Sequence, residues 1–276
     1  MIAPTTSRSA GGLLKDWRLR RRMSQLALAC DAGISTRHLS FVETGRSQPS
    51  REMVLRLAER LDVPRRGRNA LLVAAGFAPV FPERPLSDPA LAAARRAVDL
   101  VLAGHEPYPA VAVDRHWTLV AANAAVPPLM AGAGPHLLEP PVNVLRLSLH
   151  PDGLAPRIMN LAEWRAHVLE RLRHQVEVTA DPVLEDLLKE LRGYPAPPPA
   201  PSRREEPYAG VVVPFQLSTP GGVLSFFSTT TIFGTPVDIT LSELAVESFF
   251  PADAATAAAL TSAIRPGSPP IAGSSK

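Results

Sequence analysis

Apolar residues in the first 76 positions recur every three or four residues, which is the periodicity of amphipathic α-helices. Together with capping serines and helix-ending glycines, this pattern predicts five helices. They span residues 12–22, 25–30, 36–43, 51–61 and 65–75. The second and third helices are short and are separated by Asp31-Ala32-Gly33, in which Gly33 can adopt the positive φ that ends a helix.

The two short helices each have an apolar side and a polar side. A single buried seam is predicted for Leu26, Ala29, Ile34, Leu39 and Val42. Cys30 is predicted to be a small core residue beside that seam. The polar face of the second helix carries Thr36, Arg37, His38 and Ser40. Two short helices joined by a tight turn, with such a face directed outward, are typical of a helix-turn-helix that enters a DNA major groove.

Beyond residue 76 the periodicity changes. Residues 77–90 contain four prolines and predict a linker. Helices are then predicted at about 89–103, 137–150, 156–178 and 181–193, and strands at 110–113 and 117–120. A Pro-rich connection follows at 195–207, which we expect to be an extended and mobile surface loop.

The segment after residue 209 is rich in Thr, Phe and Val, which favour β-strands. Strands are predicted at about 210–218 and 222–233, joined by a hairpin turn at Pro220-Gly221-Gly222. A shorter strand is expected at 236–240, whereas 242–250 fits either a strand or a helix. The predicted fold class is α+β overall: an all-α five-helix N-terminal domain followed by an α+β domain with an antiparallel sheet.

Charge is distributed unevenly along the chain. Residues 1–80 carry 14 Lys and Arg against six Asp and Glu, a net charge of +8, whereas the whole chain carries only +3. A basic N-terminal module on an acidic body is the electrostatic pattern of a nucleic-acid reader attached to another function. No apolar run reaches the roughly 18 residues of a membrane span, and the N-terminus lacks a signal peptide, so we expect a cytoplasmic protein.

Motifs for catalysis and for metal binding are absent from the sequence. There is no G-x-S-x-G, P-loop, G-x-G-x-x-G or H-E-x-x-H motif. The histidines lack metal-ligand or nucleophile spacing, and the single cysteine cannot form an internal disulfide. We therefore expect no catalytic residues, no metal and no cofactor, in a protein that is not an enzyme.

Several short motifs lie at fixed spacing in the N-terminal module. They are Ser24-Gln25, Ala29, Gly33, Ile34-Ser35, Leu39, Glu43-Thr44-Gly45-Arg46, Pro49-Ser50 and LAERLDVP at 57–64. On these residues the module resembles the Xre family of repressors related to phage Cro, which implies sequence-specific binding to duplex DNA. The resemblance also implies a structural ion pair between Arg18 and Glu43.

The same resemblance implies which residues contact DNA. They are Gln25, Ser35, Thr36, Arg37, His38, Ser40 and Arg46. Gln25 would donate to a phosphate, Arg37 would make a bidentate contact to guanine, and Arg46 would bind the DNA backbone. Phe41 could meet a thymine methyl or pack beneath its helix. The alternative for the module is a small helical interaction domain.

The body carries a second set of motifs. They are His105-Glu106-Pro107-Tyr108-Pro109, Val113-Asp114-Arg115, Trp117, Ala122-Asn123, NVLRLSLHPDGLAPRIMNLAEW at 143–164, and FFSTTTIFGTPVDITLSELAVESFFPAD at 226–253. On these residues the body resembles a PAS-like sensor domain and, more specifically, the MmyB-like ligand-binding domain that follows an Xre module in a group of bacterial regulators. That resemblance implies a fatty-acid-like ligand.

Aromatic and basic residues of the body are candidates for ligand contacts. The lining candidates are Trp117, Trp164, Phe215 and Phe227, although each also fits an ordinary core. A ligand carboxylate could be received by Arg146, Arg157 or Arg165, although surface solvation is the better explanation for each of them.

These observations predict four parts: a helix-turn-helix domain at 1–76, a linker at 77–90, a PAS-like ligand-binding domain at 91–255 and a disordered tail at 256–276. We expect a homodimeric transcription regulator that binds double-stranded DNA and senses a small apolar molecule, with no membrane association. The alternative is a DNA-binding regulator whose body docks a protein partner and holds no ligand.

Overall fold

The computed structural model describes residues 9–195, 212–233 and 238–263, and the chain divides into two compact units. The first unit comprises the described residues up to Arg84 together with two short stretches, 174–181 and 238–239. The second unit comprises the other described residues. No helix in the described part of the chain is long and apolar enough to cross a membrane.

Five helices lie in the described N-terminal part of the first unit, up to Arg84, as the periodicity predicted. They are α1 (Ala10–Arg20), α2 (Gln25–Asp31), α3 (Thr36–Glu43), α4 (Arg51–Arg60) and α5 (Arg65–Ala74). The first four each begin after a serine whose hydroxyl accepts a hydrogen bond from the backbone N–H three residues later: Ser9, Ser24, Ser35 and Ser50. Each serine satisfies an amide that has no partner within its helix, so the local sequence sets where these helices start.

Leucines from all five helices meet in one core. They include Leu14, Leu28, Leu39, Leu57 and Leu71, each 0% exposed. Gly11 permits α1 to approach α3, because a Cβ atom at this position would lie only 2.0 Å from the carbonyl oxygen of Val42. Any larger residue at position 11 would force the two backbones apart in a closely packed interior.

Two predicted core positions on α2 face outward instead. Leu26 is 62% exposed, and Cys30 is also exposed. Leu28 and Ala29, which are 0% and 1% exposed, define the inward side of this helix. Each residue turns an α-helix by about 100°, so positions 26 and 30 share a side that points away from Leu28. The predictions of burial at Leu26 and Cys30 were therefore wrong.

Part of the predicted linker is anchored to α5. The side-chain oxygen of Asn69 accepts hydrogen bonds from the N–H groups of Val80 and Phe81 at 3.0 and 3.1 Å. The side-chain amide of Asn69 also donates to the carbonyl oxygen of Phe81 at 2.7 Å. The first unit accordingly extends to Arg84.

A five-stranded antiparallel sheet belongs to the second unit. Its strands are β1 (Ala110–Val113), β2 (Leu119–Ala122), β3 (Phe215–Thr219), β4 (Gly222–Ile232) and β5 (Ala245–Pro251), in the order β2-β1-β5-β4-β3. The predicted hairpin is present, because Thr219 of β3 pairs with Gly222 of β4 across the Pro220-Gly221 turn. The φ of Gly222 is +120°, a conformation that glycine adopts without steric cost.

Further helices follow along the described chain after the first five. They are α6 (Ala92–Gly104), α7 (Pro127–Met130), α8 (Pro135–Leu138), α9 (Val144–Leu149), α10 (Leu161–Thr179), α11 (Pro182–Gly193), α12 (Ile239–Ser242) and α13 (Ala254–Ala263). The sequence of residues 242–250 fitted either a helix or a strand, and the structure shows that most of this segment is strand β5. The strand predicted at 236–240 is wrong for the described residues, because Ile239 begins α12. The tertiary contact of buried Asp238 with the backbone N–H of Arg84, at 3.4 Å, overrides the weak β propensity there.

The predicted disordered tail is wrong for residues 256–263, which continue α13. Asp253 Oδ1 accepts a hydrogen bond from the N–H of Thr256 at 2.7 Å, and Leu260 is buried. Alanine has the highest helix propensity of the amino acids, which favours a helix in this alanine-rich segment. The expectations for residues 196–207 and for those after 263 lie outside the described residues.

Candidate functional site

The first turns of α3 form the polar face that the sequence predicted. Arg37 is exposed, whereas Thr36, His38 and Ser40 are half-buried on the same helix. Ser35 is exposed at the N-cap, where its hydroxyl accepts a hydrogen bond from the N–H of His38 at 3.1 Å. The structure thus brings these five predicted DNA contacts together on one short, capped element.

Phe41 carries two guanidinium groups beside this face. The Cζ atoms of Arg37 and Arg46 lie 5.4 and 6.0 Å from the centroid of its ring. Cations at this distance are attracted by the quadrupole of an aromatic ring. Phe41 is half-buried and both arginines are exposed, so the ring holds two positive charges over one patch of surface.

Glu43, at the end of α3, connects three helices through its carboxylate. Arg18 of α1 donates from Nε to Oε1 at 2.6 Å and from Nη2 to Oε2 at 2.9 Å. Gln25 of α2 donates to Oε2 at 2.7 Å. Burial by itself would raise the pKa of Glu43, but the hydrogen bonds from Arg18 and Gln25 outweigh it and hold the pKa below its ordinary value. The ion pair implied by the resemblance is therefore present.

The bond from Gln25 to Glu43 constrains the role predicted for Gln25. A glutamine side-chain amide has two N–H donors, and one of them is committed to the carboxylate. Donation to a DNA phosphate would then use the other N–H, from a side chain whose orientation is fixed by the Arg18–Glu43 pair.

The second unit contains an apolar cavity of about 110 Å³. Its walls come from the sheet and from the helices α7, α9 and α10, and they include Val111, Leu119, Leu145, Val168, Phe226 and Phe249. One buried water requires roughly 10–15 Å³ of such space, so the cavity is large enough for a chain of several carbon atoms.

Three of the four aromatic residues predicted as lining are in the cavity wall: Trp117, Trp164 and Phe215. Phe227 is not part of this wall and instead stacks on Phe250, with ring centroids 5.3 Å apart. Successive side chains of a strand point to opposite faces, and Phe226 takes the cavity side of β4. The structure therefore does not bring Phe227 together with the other three predicted lining residues.

A strained turn positions Trp117 in the wall. Oδ1 of Asp114 accepts hydrogen bonds from the N–H groups of His116 and Thr118, both at 2.8 Å. Trp117 between them has a φ of +66°, in the left-handed region that non-glycine residues occupy at a cost of about 1–3 kcal/mol. The tight turn thereby directs a large aromatic ring into the cavity.

A polar cluster of the cavity wall is centred on Glu247, which is buried, and Arg171, which is half-buried. Nη1 of Arg171 donates to Oε1 of Glu247 at 2.8 Å, and Nη2 donates to the hydroxyl of Thr230 at 2.6 Å. The guanidinium also lies over Trp117, with Cζ 4.6 Å from a ring centroid. Glu247 accepts a second hydrogen bond, from the hydroxyl of Ser228 at 2.9 Å.

Helical spacing could have revealed two of the polar lining residues. His167 and Arg171 follow Trp164 by three and seven residues on α10, so all three share one helix face. Burial, followed by the nearby charge of Arg171, lowers the pKa of His167, and the imidazole is therefore neutral near pH 7. The arginines predicted to receive a carboxylate, Arg146, Arg157 and Arg165, do not follow Trp164 at this spacing.

The arginines proposed as carboxylate receivers lie outside the cavity wall. Arg146 pairs with Glu190 at 2.8 Å on the surface. Arg157 donates to the carbonyl oxygen of Ala131 at 2.6 Å, and Arg165 donates to that of Arg192 at 2.9 Å. Each of the three arginines donates to a protein partner, and the structure brings none of them to the cavity wall.

One group of residues in the described chain has the composition of a metal site. Ligand atoms of His136, His150 and Asp152 lie within 4.8 Å of one another. Nδ1 of His150, however, already accepts a hydrogen bond from the N–H of Asp152 at 3.0 Å. These residues could hold a metal ion such as Zn²⁺ only if that hydrogen bond were given up, since a coordinating nitrogen needs its lone pair.

Two family models match the chain. Residues 14–67 match a helix-turn-helix model, which defines the class: a helix-turn-helix DNA-binding protein. Residues 94–263, more than half of the chain, match the MmyB-like transcription regulator ligand binding domain. The chain therefore belongs to the MmyB-like transcription regulator family. Both matched families are regulatory rather than enzymatic, and a comparison with curated proteins finds no match.

Proposed function

We propose that this protein is a cytoplasmic transcription regulator that binds its operator through α3 and responds to a small apolar, fatty-acid-like molecule. The observation that carries the sensing role is the cavity, whose wall is mainly aliphatic and aromatic and carries four polar residues: Ser148, His167, Arg171 and Glu247. A cavity of this composition, with few polar groups that fix orientation, is typical of a small-molecule site. The strand order β2-β1-β5-β4-β3 supports a PAS-like assignment for this domain.

The DNA-binding role rests on the exposed face of α3. Arg37 presents a guanidinium fork that matches the O6 and N7 acceptors of guanine, and Arg46 lies beside it over the same aromatic ring. Thr36 and Ser40 add hydroxyl groups that can donate or accept. Ser35 and Gln25 would contact phosphates, and His38 would contribute through the ring nitrogen that Met53 does not engage.

The DNA-binding role can be tested with Arg37→Ala. One good bidentate base contact contributes roughly 1–3 kcal/mol of discrimination, so affinity for the selected operator should fall about fivefold or more. Lys189→Ala is the matched control, because Lys189 is an exposed cation on α11 that pairs with nearby Asp186. Operator affinity should be measured by fluorescence anisotropy at fixed salt. Equal affinities for Arg37→Ala and the control would refute the assignment of α3 as the recognition helix.

Ligand sensing can be tested on the full chain as purified. Native mass spectrometry should show a bound mass of a few hundred daltons that is lost on denaturation, and extraction should recover an amphiphile. An empty cavity that also binds no medium-chain amphiphile would refute sensing. Recovery of an empty protein in a defined complex with another protein would favour the alternative, in which this domain docks a partner.

Regulation through a homodimer follows from the same proposal. A dimeric helix-turn-helix protein places its two recognition helices about one DNA turn apart, so a palindromic operator is expected. The ligand would act only through different affinities for the two dimer geometries. Sedimentation of the protein on a single operator duplex should show two copies per site, and a single bound copy would contradict this model.

A further inference from the structure

We infer that the ligand of the cavity is an uncharged amphiphile, an aliphatic chain that ends in an alcohol, ester or amide, rather than a free carboxylate. This inference rests on the proposed ligand-sensing function and narrows its chemistry. Its starting point is the pair Arg171–Glu247, which supplies a positive and a negative charge to the same wall.

Glu247 is the anion of the cavity wall, and it is buried. Only 7% of its side chain is exposed, and its carboxylate accepts from Arg171 at 2.8 Å and from Ser228 at 2.9 Å. Burial of an ionised carboxylate is tolerated because both interactions compensate for lost hydration. A second carboxylate beside it would add a like charge at a buried position, where water screens charges poorly.

Arg171 is already engaged on three sides. Its Nη1 atom serves Glu247, its Nη2 atom serves the hydroxyl of Thr230, and its plane lies over the ring of Trp117. An incoming carboxylate would have to compete with Glu247 for this guanidinium. The pair is charge-balanced as it stands, which removes the net positive potential that an anionic head group needs.

The remaining titratable group of the wall does not change this balance. His167, one turn before Arg171, is half-buried; burial, followed by the charge of Arg171, lowers its pKa despite the opposing charge of Glu247, so its imidazole is neutral near pH 7. The cavity wall therefore carries one cation, one anion and a neutral imidazole.

Neutral hydrogen-bonding groups, in contrast, have partners in the wall. The hydroxyl oxygen of Ser148 accepts from Nε1 of Trp164 at 2.8 Å, and its own O–H can donate to a carbonyl group. A ligand hydroxyl can donate to an oxygen of Glu247, and the neutral imidazole of His167 offers one donor and one acceptor. The wall thus complements an alcohol, ester or amide.

The size of the cavity selects the probes for the test. About 110 Å³ corresponds to roughly seven to eleven water-sized groups. Chains of about ten carbons match this space, so 1-decanol, methyl decanoate and decanoate differ mainly in their polar ends.

Isothermal titration calorimetry of the full chain with these three probes, below their aggregation concentrations at pH 7.5, is the decisive measurement. We expect the alcohol or the ester to bind at least tenfold more tightly than decanoate. Decanoate binding as tightly as both neutral probes would overturn the inference and leave the proposed sensing intact. Binding of none of the three would refute the proposed sensing and the inference with it.

Glu247→Gln provides the matched variant, because it removes the buried negative charge with little change of shape. The Arg171 charge then lacks its counterion, so the affinity for decanoate relative to that for methyl decanoate, which has no hydroxyl to donate to position 247, should rise at least tenfold. Glu190→Gln is the control, since Glu190 pairs with Arg146 on the surface outside the cavity. An unchanged relative affinity for decanoate in folded Glu247→Gln would contradict the inference, and the three-probe comparison on the natural protein tests it independently.

Discussion

The two charges of the buried pair Arg18–Glu43 should depend strongly on each other, and their coupling can be isolated with a double-mutant cycle. The perturbations are Arg18→Met, Glu43→Leu and both together. The side chains of Arg18 and Glu43 are 7% and 1% exposed, and two hydrogen bonds join them at 2.6 and 2.9 Å. Removal of either partner would leave the other charge buried without its counterion.

The magnitude follows from what each variant leaves behind. A stranded buried charge costs about 3–5 kcal/mol, so each single variant should lose that much unfolding free energy. The double variant has no stranded charge and loses hydrogen bonds to Met23 and Gln25, each contributing about 1 kcal/mol. The double variant should therefore be more stable than either single variant, with a coupling energy of about 4 kcal/mol or more.

The pair also predicts a dependence on pH. The pKa of Glu43 is lowered in the folded state, so the carboxylate contributes stability that is fully present above its unfolded pKa of about 4.3. That contribution is lost as the pH falls from there through the lower folded pKa. The double variant, which lacks Glu43, should lose correspondingly less stability in this range.

Urea unfolding, read by hydrogen exchange in peptides of α1 and α3, reports on this unit separately from the rest of the chain. The cycle should be measured at pH 7 and repeated at pH 4. Single-variant losses that add within about 0.5 kcal/mol in the double variant would refute the argument, because additivity means that the two charges do not interact.

Three further perturbations have defined outcomes. Gly11→Ala should lower the unfolding free energy by about 1–3 kcal/mol or more, because its Cβ would lie 2.0 Å from the carbonyl oxygen of Val42. Gly12→Ala should be tolerated, because its Cβ would lie 3.3 Å from Oγ of Ser9. Equal melting temperatures for the two variants would contradict this expectation. Ser35→Ala should lower stability by about 1 kcal/mol in chemical denaturation through loss of the α3 cap, and Ser35→Gly by only a few tenths. Glu190→Gln should change stability by less than about 1 kcal/mol, since its pair with Arg146 is partly exposed, and a larger loss would show that solvent does not screen it.

The helices of the first unit were predictable because their signals are local. Serine caps and helical periodicity lie within a few residues of the boundary that they determine, and the Pro220-Gly221 turn specifies its hairpin in the same way. The inward side of α2 depended on how the helix packs, so the periodicity of seven residues alone did not distinguish Leu26 from Leu28.

The cavity was less predictable because its wall is assembled from distant parts of the chain. Trp117 and Phe215 were identified as large apolar residues, and such residues are buried in most environments. The pairing of Arg171 with Glu247 joins positions 76 residues apart, and only the fold brings them together. The face of β4 that carries Phe226 was likewise set by strand pairing and not by the Phe-Phe sequence itself.

The exposed position of Cys30 allows the natural protein to be labelled at a single site for spectroscopy. The chain has one cysteine, and its thiol is exposed on α2, directly before the turn that leads to α3. A spin label or fluorophore would therefore attach at one known place without removal of competing thiols. In the proposed dimer, the distance between two such labels would report the separation of the two helix-turn-helix motifs. Comparing this distance with and without an amphiphile would show how far the motifs move.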